Sequence, residues 1–338
     1  MRKLDLRYSP RRARTRVPRP NFSNGRIKRN SGLVQGGRLA PLLKAESNTE
    51  KGFWPVDKLL LAYFLFTTAL VLGWWSSVPY AMPLLAAHIG AVFLLLFEIH
   101  WPNRTTWFFR HWYPLVYVSF CYKEMALLIP GVNPNYADLR FSNLDYFFWH
   151  AHPTVWLERI TSPALTEYLQ IIYTLFVPSV LLIAFLLWRQ RRFAEFRYYA
   201  FLIALGFLVS YTGYLIFPAR GPRFFLKHLQ HIPLRGIWLF RFMQDGLDRL
   251  ESTAYDCFPS GHTELTILAW WSARQFTNSL FWPYFAYTLS IISATVYLRY
   301  HYTIDVLAGV AVAGVLLIAA PSLYRNFQGK RGLQVGRS

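Results

Sequence analysis

The sequence predicts an all-α fold, a polytopic membrane bundle of about eight transmembrane helices, and three observations predict it. From Val56 onward apolar runs recur, each close to the ~20 residues that span hydrocarbon. The 338 residues are 54% hydrophobic, 18% aromatic and only 16% charged, with a mean hydropathy of +0.22, a balance unlike that of a soluble enzyme. Charge is also segregated: residues 1–53 carry fourteen of the 36 Lys and Arg against Asp5, Glu46 and Glu50.

Residues 1–53, with Pro10, Pro18, Pro20, Pro41 and the Gly36-Gly37 pair, show no hydrophobic period and read as a disordered basic cytoplasmic arm. Such an arm sets orientation and is attracted to anionic lipid headgroups. Aromatic interleaving is sparse, which argues against a nucleic-acid partner. No short apolar h-region precedes Val56, so a cleaved signal peptide is not expected.

Helices are expected over 56–75, 81–99 and 113–129 in an N-terminal part spanning 54–135, then over 166–188, 197–217, 261–277, 279–298 and 303–323 in a second part, 136–323. The third contains Lys123 and Glu124 and is bracketed by Pro114 and Pro130. The charges read as a buried structural contact or as snorkelling ends. Between the third and fourth helices, Leu144 to His150 with Trp156-Leu157 reads as an amphipathic segment lying in the membrane interface. His150 and His152 are read there as belt residues. Residues 324–338 form a second basic tail. Cys121 and Cys257 make neither a disulfide framework nor a zinc spacing.

Lys and Arg favour the cytoplasmic side of short loops. Eight helices put both termini on that side, together with the 100–112 loop (Arg104, Arg110), Arg189 to Arg192, and Arg274. The same count puts four helix ends, near Phe217, Ser260, Leu298 and Thr303, on the opposite, extracytoplasmic or lumenal face. Three polar stretches therefore converge there: Pro218 to Arg223, Cys257 to Thr263, and Arg299 to Asp305.

An anionic phosphate group would find suitable partners at that surface. Pro259-Ser260-Gly261-His262 opens a helix whose first N–H groups lack internal acceptors. Gly261 permits close approach, Ser260 adds a hydroxyl, and Arg220, Arg223 and Arg299 can grip phosphoryl oxygens in bidentate fashion. His301 and Asp305 stand at i and i+4, so the carboxylate can hold one ring nitrogen while the other attacks phosphorus. His262 is then placed to exchange the proton. No metal or other cofactor is required by this arrangement, although His262, His301 and Asp305 are also metal-ligand types. Glu264 is a supporting candidate beside His262.

The segments Phe217 to Arg223, Phe258 to His262 and Tyr297 to Asp305 resemble, in order and spacing, the three signatures of the type 2 phosphatidic acid phosphatase superfamily. Its membrane inositol phosphotransferases, which include inositol phosphorylceramide synthases, look the most similar subgroup. His301-Tyr302-Thr303-Ile304-Asp305 is also similar to a run in sphingomyelin synthases. Leu144-Asp145 through His152-Pro153 to Trp156-Leu157-Glu158 resembles the subgroup's opening segment, so the likeness covers roughly 140–315. It implies a six-helix-type catalytic core, a nucleophile at His301 oriented by Asp305, an acid and base at His262, and phosphate held by Ser260, Gly261 and arginines. The partners it implies are a membrane lipid substrate and, for a transferase, an alcohol such as inositol. The chain departs from the pattern at Gly213, where the first signature has lysine, at Gly221, where it has proline, and at Thr295, where the third has arginine; Arg223 and Arg299 are the candidate replacements. Two other classes stay open at this point: a transporter or flippase, whose site would lie at the bilayer midplane between broken helices, and a non-catalytic scaffold of the same fold.

Overall fold

The computed structural model describes residues 52–250 and 255–328. The basic arm up to residue 51 and the tail beyond residue 328 lie outside the described residues. The principal helices are α1 (Pro55–Gly73), α2 (Ala81–His100), α3 (Arg104–Val132), α4 (Asp138–Trp149), α5 (Pro163–Thr174), α6 (Phe176–Arg189), α7 (Phe193–Ile216), α8 (Phe240–Leu250), α9 (Gly261–Phe276), α10 (Phe281–Tyr297) and α11 (Thr303–Gln328). No strand occurs among the described residues, only an isolated bridge between Ala219 and Asp256.

Each of the eight expected segments is helical, but they do not all qualify as spans. Five helices, α1, α2, α3, α7 and α11, are long and apolar enough to cross a membrane, and α5 with α6 makes a sixth if the pair counts as one. That pair bends by 45° at Leu175, where Pro178 has no N–H to offer the carbonyl four residues earlier. α9 and α10 hold 16 and 17 residues, below the usual spanning length.

α3 begins nine residues before its expected start because Asn103 caps it, its Oδ1 accepting from the N–H groups of Thr105 and Thr106 at 2.8 and 3.0 Å. Pro114 and Pro130 lie inside it. Arg110, expected in a loop, is therefore a buried helical residue paired to Asp57 at 2.8 Å. Asp57 also accepts from the Trp54 N–H at 2.6 Å and the Tyr113 hydroxyl at 2.5 Å, which fastens the start of α1 to α3. Lys123 and Glu124 part company, as neighbours on a helix must. Glu124 bonds His88 of α2 at 2.9 Å, whose other nitrogen meets Thr68 at 2.8 Å, whereas Lys123 reaches the carbonyl of Leu250.

α7 is the axis of the bundle, buried along most of its length and packed against α3, α9, α1 and α6; α9 in turn packs on α10 and α11. α2 and α11 turn many apolar side chains outward, among them Ile89, Phe93, Val315 and Ile318, as helices facing lipid do.

Candidate active site

The C-terminal ends of α7 and α10 and the N-terminal ends of α9 and α11 meet, so the three polar stretches are one structure. The Arg223 N–H donates to the Arg299 carbonyl at 2.8 Å, and the Ser260 N–H donates to the Asp305 carbonyl at 3.0 Å. The Ala219–Asp256 bridge joins the first stretch to the second. The Thr295 carbonyl accepts from the N–H groups of both Tyr300 and His301 at 3.0 Å, closing the turn that carries Arg299 at a positive φ of 68°. Thr295 thus shapes the third stretch without a charge.

His301 is buried just before α11, with Nδ1 2.8 Å from the Cys257 carbonyl. A carbonyl only accepts, so Nδ1 carries a proton, and in the neutral ring the lone pair is then on Nε2. The expected holder of that ring, Asp305, stands 3.6 Å from Nδ1, beyond a good hydrogen bond. Its Oδ2 accepts instead from the Tyr302 N–H and the Cys257 thiol, both at 2.8 Å. Burial, with the Asp305 carboxylate beside it, pushes the Cys257 thiol well above its ordinary value, which keeps Sγ protonated as a donor. Asp305 therefore braces the loop whose carbonyl aims the imidazole.

His262, in the first turn of α9, lies with its ring centroid 5.8 Å from that of His301. It is gripped by apolar faces: Tyr173 stacks on it at 4.3 Å and Phe176 lies at 4.3 Å, while Tyr300 stacks on the other side of Tyr173 at 4.3 Å. Ser260 is the N-cap of α9, its Oγ accepting from Thr263 N–H at 3.4 Å. The amides of Gly261 and His262 are the first of this helix, for which the helix itself has no acceptor. Gly261 also has a steric reason to be small: a Cβ there would lie 2.7 Å from the Tyr214 hydroxyl. Glu264 faces α7, accepting from Ser210 Oγ at 2.6 Å, and does not support His262.

The arginines are differently placed. Arg299 is buried and its Nη2 meets Glu158 at 2.9 Å and the Ile232 carbonyl at 2.6 Å, with Nη1 on Gln230 at 3.1 Å. Its hydrogen bonds hold the surrounding loops. Arg223 forks onto Asp248 of α8, both contacts 2.6 Å. Arg220 is exposed, its guanidinium 5.2 Å from the Phe224 ring centroid. The two glycine departures have steric causes. A Cβ at Gly213 would lie 2.3 Å from Pro259 Cδ, leaving no room for a lysine stem, and Gly221 adopts a φ of 83° that proline cannot reach.

Carboxylates from α4 to α5 that the sequence reading did not single out hold this surface together. Asp138 accepts from the N–H groups of Arg220 and Gly221, both at 2.9 Å, and from the Tyr302 hydroxyl at 3.0 Å. Asp145 caps α11 through the N–H groups of Thr303 and Ile304, both at 3.0 Å, and Thr303 Oγ1 at 2.6 Å. The expected interfacial segment thus contributes one inward acid, Asp145, while Tyr146, Phe147, Phe148 and Trp149 stay exposed. Asp138→Ala leaves the buried Gly221 amide, the half-buried Arg220 amide and the buried Tyr302 hydroxyl unpaired, so the variant is expected to lose about 2–4 kcal/mol of stability. Thermal unfolding in detergent checks this; Tyr302→Phe, which removes one of the three partners, should lower the melting temperature less.

Cys257 Sγ, His301 Nδ1 and Asp305 Oδ2 lie within 4.8 Å of one another, so the side chains with metal-ligand chemistry include Cys257 in place of the expected His262. An open cavity of about 410 Å³ is lined by His152, Trp156, Glu158, Arg159 and His231, among others. It borders the Glu158–Arg299 pair.

A family model of the PAP2 superfamily matches residues 140–319, more than half of the chain. The chain belongs to the PAP2 superfamily. All three polar stretches of this superfamily member fall inside the match, and α1 to α3 fall outside it. A PA-phosphatase related-family protein of Dictyostelium discoideum is 28% identical over 127 residues, which are 36% of this chain and 23% of that protein. The chain therefore spans less than a quarter of that relative's length. No solved structure matches.

Proposed function

We propose that this PAP2-superfamily protein is a metal-independent lipid phosphatase or phosphotransferase acting through a phosphohistidine at His301. The observation that carries the reading is the aimed imidazole: His301 Nδ1 is fixed on the Cys257 carbonyl, and His262 stands 5.8 Å away at the open start of α9. In the first step the Nε2 lone pair attacks phosphorus, a P–N bond forms as the bond to the leaving oxygen breaks, and His262 gives that oxygen a proton. In the second, water or an alcohol attacks phosphorus while His262 takes its proton, and the P–N bond returns its electron pair to Nε2. The Gly261 and His262 amides, with Ser260, Arg220 and Arg223, would bind the phosphoryl oxygens. Arg299, committed to Glu158, would act on phosphate only by releasing that carboxylate.

The substrate is proposed to be a lipid phosphate or phospholipid headgroup. Two of the long apolar helices, α7 and α11, end at the site, and the 410 Å³ cavity beside Glu158 gives room for a headgroup or an alcohol acceptor such as inositol. Eight spans, with α9 and α10 crossing as short helices, would put the site on the extracytoplasmic or lumenal face and both basic termini on the cytoplasmic side, where the arm meets anionic headgroups.

Purified protein given labelled phosphatidic acid, a polyprenyl diphosphate or phosphatidylinositol, with and without alcohol acceptors, tests this. Phosphate release or transfer that persists in chelator is expected. Turnover abolished by chelator and restored by a divalent cation would overturn the metal-free reading. Transfer to inositol without release would assign the phosphotransferase subgroup.

A further inference from the structure

The segment between the first and second polar stretches carries α8, which a search for long apolar runs passes over because its apolar residues alternate with Arg241, Asp245, Asp248 and Arg249. Its start is anchored. The Glu167 carboxylate accepts from the N–H groups of Ile237, Trp238, Leu239 and Phe240 at 2.6–3.2 Å. Gly236 is required there, since a Cβ would lie 2.2 Å from that carboxylate. Its inner face, Phe240 and Leu247, packs in one cluster with Tyr173, Tyr297 and Tyr300. Tyr173 is the ring that stacks on His262, so α8 lies over the aromatic wall of the site. Its far end is tied down by the Arg223–Asp248 fork and by Lys123 on the Leu250 carbonyl.

We propose that α8 is a lid latched by Asp248, which occupies the Arg223 guanidinium as a stand-in for substrate phosphate, so that a phosphorylated ligand opens the lid by displacing that carboxylate. Three observations carry this. The fork is bidentate, the geometry in which a guanidinium also takes a phosphoryl group, and a doubly charged phosphoryl group is the stronger partner. The pair is open to water, with 24% and 40% of the two side chains exposed, so it is weak and readily exchanged. The root of Arg223 stays with the site whichever anion holds its head, because its N–H is bonded to the Arg299 carbonyl, and the head, while on Asp248, already lies 5.6 Å from the Tyr300 ring. Trp238 and Phe242, 86% and 78% exposed, stand on an outer side that also carries Arg241, Asp245 and Arg249, an amphipathic mix that keeps an opened lid compatible with a lipid interface.

The proposal rests on Arg223 being a phosphate ligand. The test uses the full chain in detergent, inorganic phosphate as the probe, and calorimetry with hydrogen exchange as readouts. Asp248→Asn is expected to bind phosphate about two- to fivefold more tightly than the native chain, the range that an exposed ion pair is worth. Saturating phosphate is expected to speed amide exchange over 240–250 in the native chain towards the rate that Asp248→Asn shows without it. Equal or weaker binding by Asp248→Asn, or exchange unmoved by phosphate, overturns the latch. Phosphate binding by Arg223→Gln separates the two readings. Weakened binding there with unchanged binding by Asp248→Asn removes the latch alone, whereas native binding by Arg223→Gln removes the phosphate role of Arg223 and the latch with it.

Discussion

His301→Ala is expected to lower phosphate release by roughly 10³-fold or more, to the level of the uncatalysed background, with little change in the thermal unfolding of the protein. The size follows from the role. A nucleophile is not replaced by water in the same geometry, since Nε2 is aimed by the Nδ1 contact to the Cys257 carbonyl at 2.8 Å and no other nucleophile is held there in that way. Stability should be largely spared because the ring's one short polar contact is its bond to that carbonyl, with the Asp305 carboxylate and the Cys257 thiol farther off at 3.6 and 3.8 Å, while the loop is also held by Ser260 on Asp305 and by the Cys257 thiol on the same residue. Initial rates on a lipid phosphate, measured beside a melting curve for each variant, check both halves of the statement. A variant that unfolds would leave the catalytic half to His301→Gln, which keeps a polar side chain of similar length.

His262→Ala is expected to cost about 10²- to 10⁴-fold with an alkyl leaving group, the range of general acid–base catalysis. With an aryl phosphate the first step needs little protonation, and the loss should shift to the second step, where an incoming water must be deprotonated. The variant should then show a burst of aryl alcohol equal to the enzyme present, followed by slow turnover. An equal loss with both leaving groups, and no burst, would assign His262 to binding.

The parts of this molecule legible in its sequence are those written in local pattern. Apolar runs place the long helices, and the convergence of three polar stretches follows from counting helix ends. The hydrogen bonds between Arg223 and Arg299, Ser260 and Asp305, and Cys257 and His301 realise it. What pattern could not carry is partner choice across long sequence distances. Asp145 caps a helix 158 residues further along, Glu158 holds Arg299 from 141 residues away, and neither acid differs locally from a solvated one. The partners of the arginines are hidden for the same reason: three cations near a phosphate site look equivalent until Glu158 takes one and Asp248 another. α8 is hidden by mixed polarity, and the early start of α3 by an asparagine cap among aromatic residues.

The most direct test is to trap the covalent state. The native chain, incubated briefly with a lipid substrate labelled in its phosphoryl group and quenched in base, is predicted to carry acid-labile label on the peptide containing His301. The label should be absent in His301→Ala, and with an aryl phosphate labelled in the same group, whose departure needs little protonation, it should rise in His262→Ala. Turnover with no label at any residue under those conditions, or label on His262 or Cys257, would contradict the account.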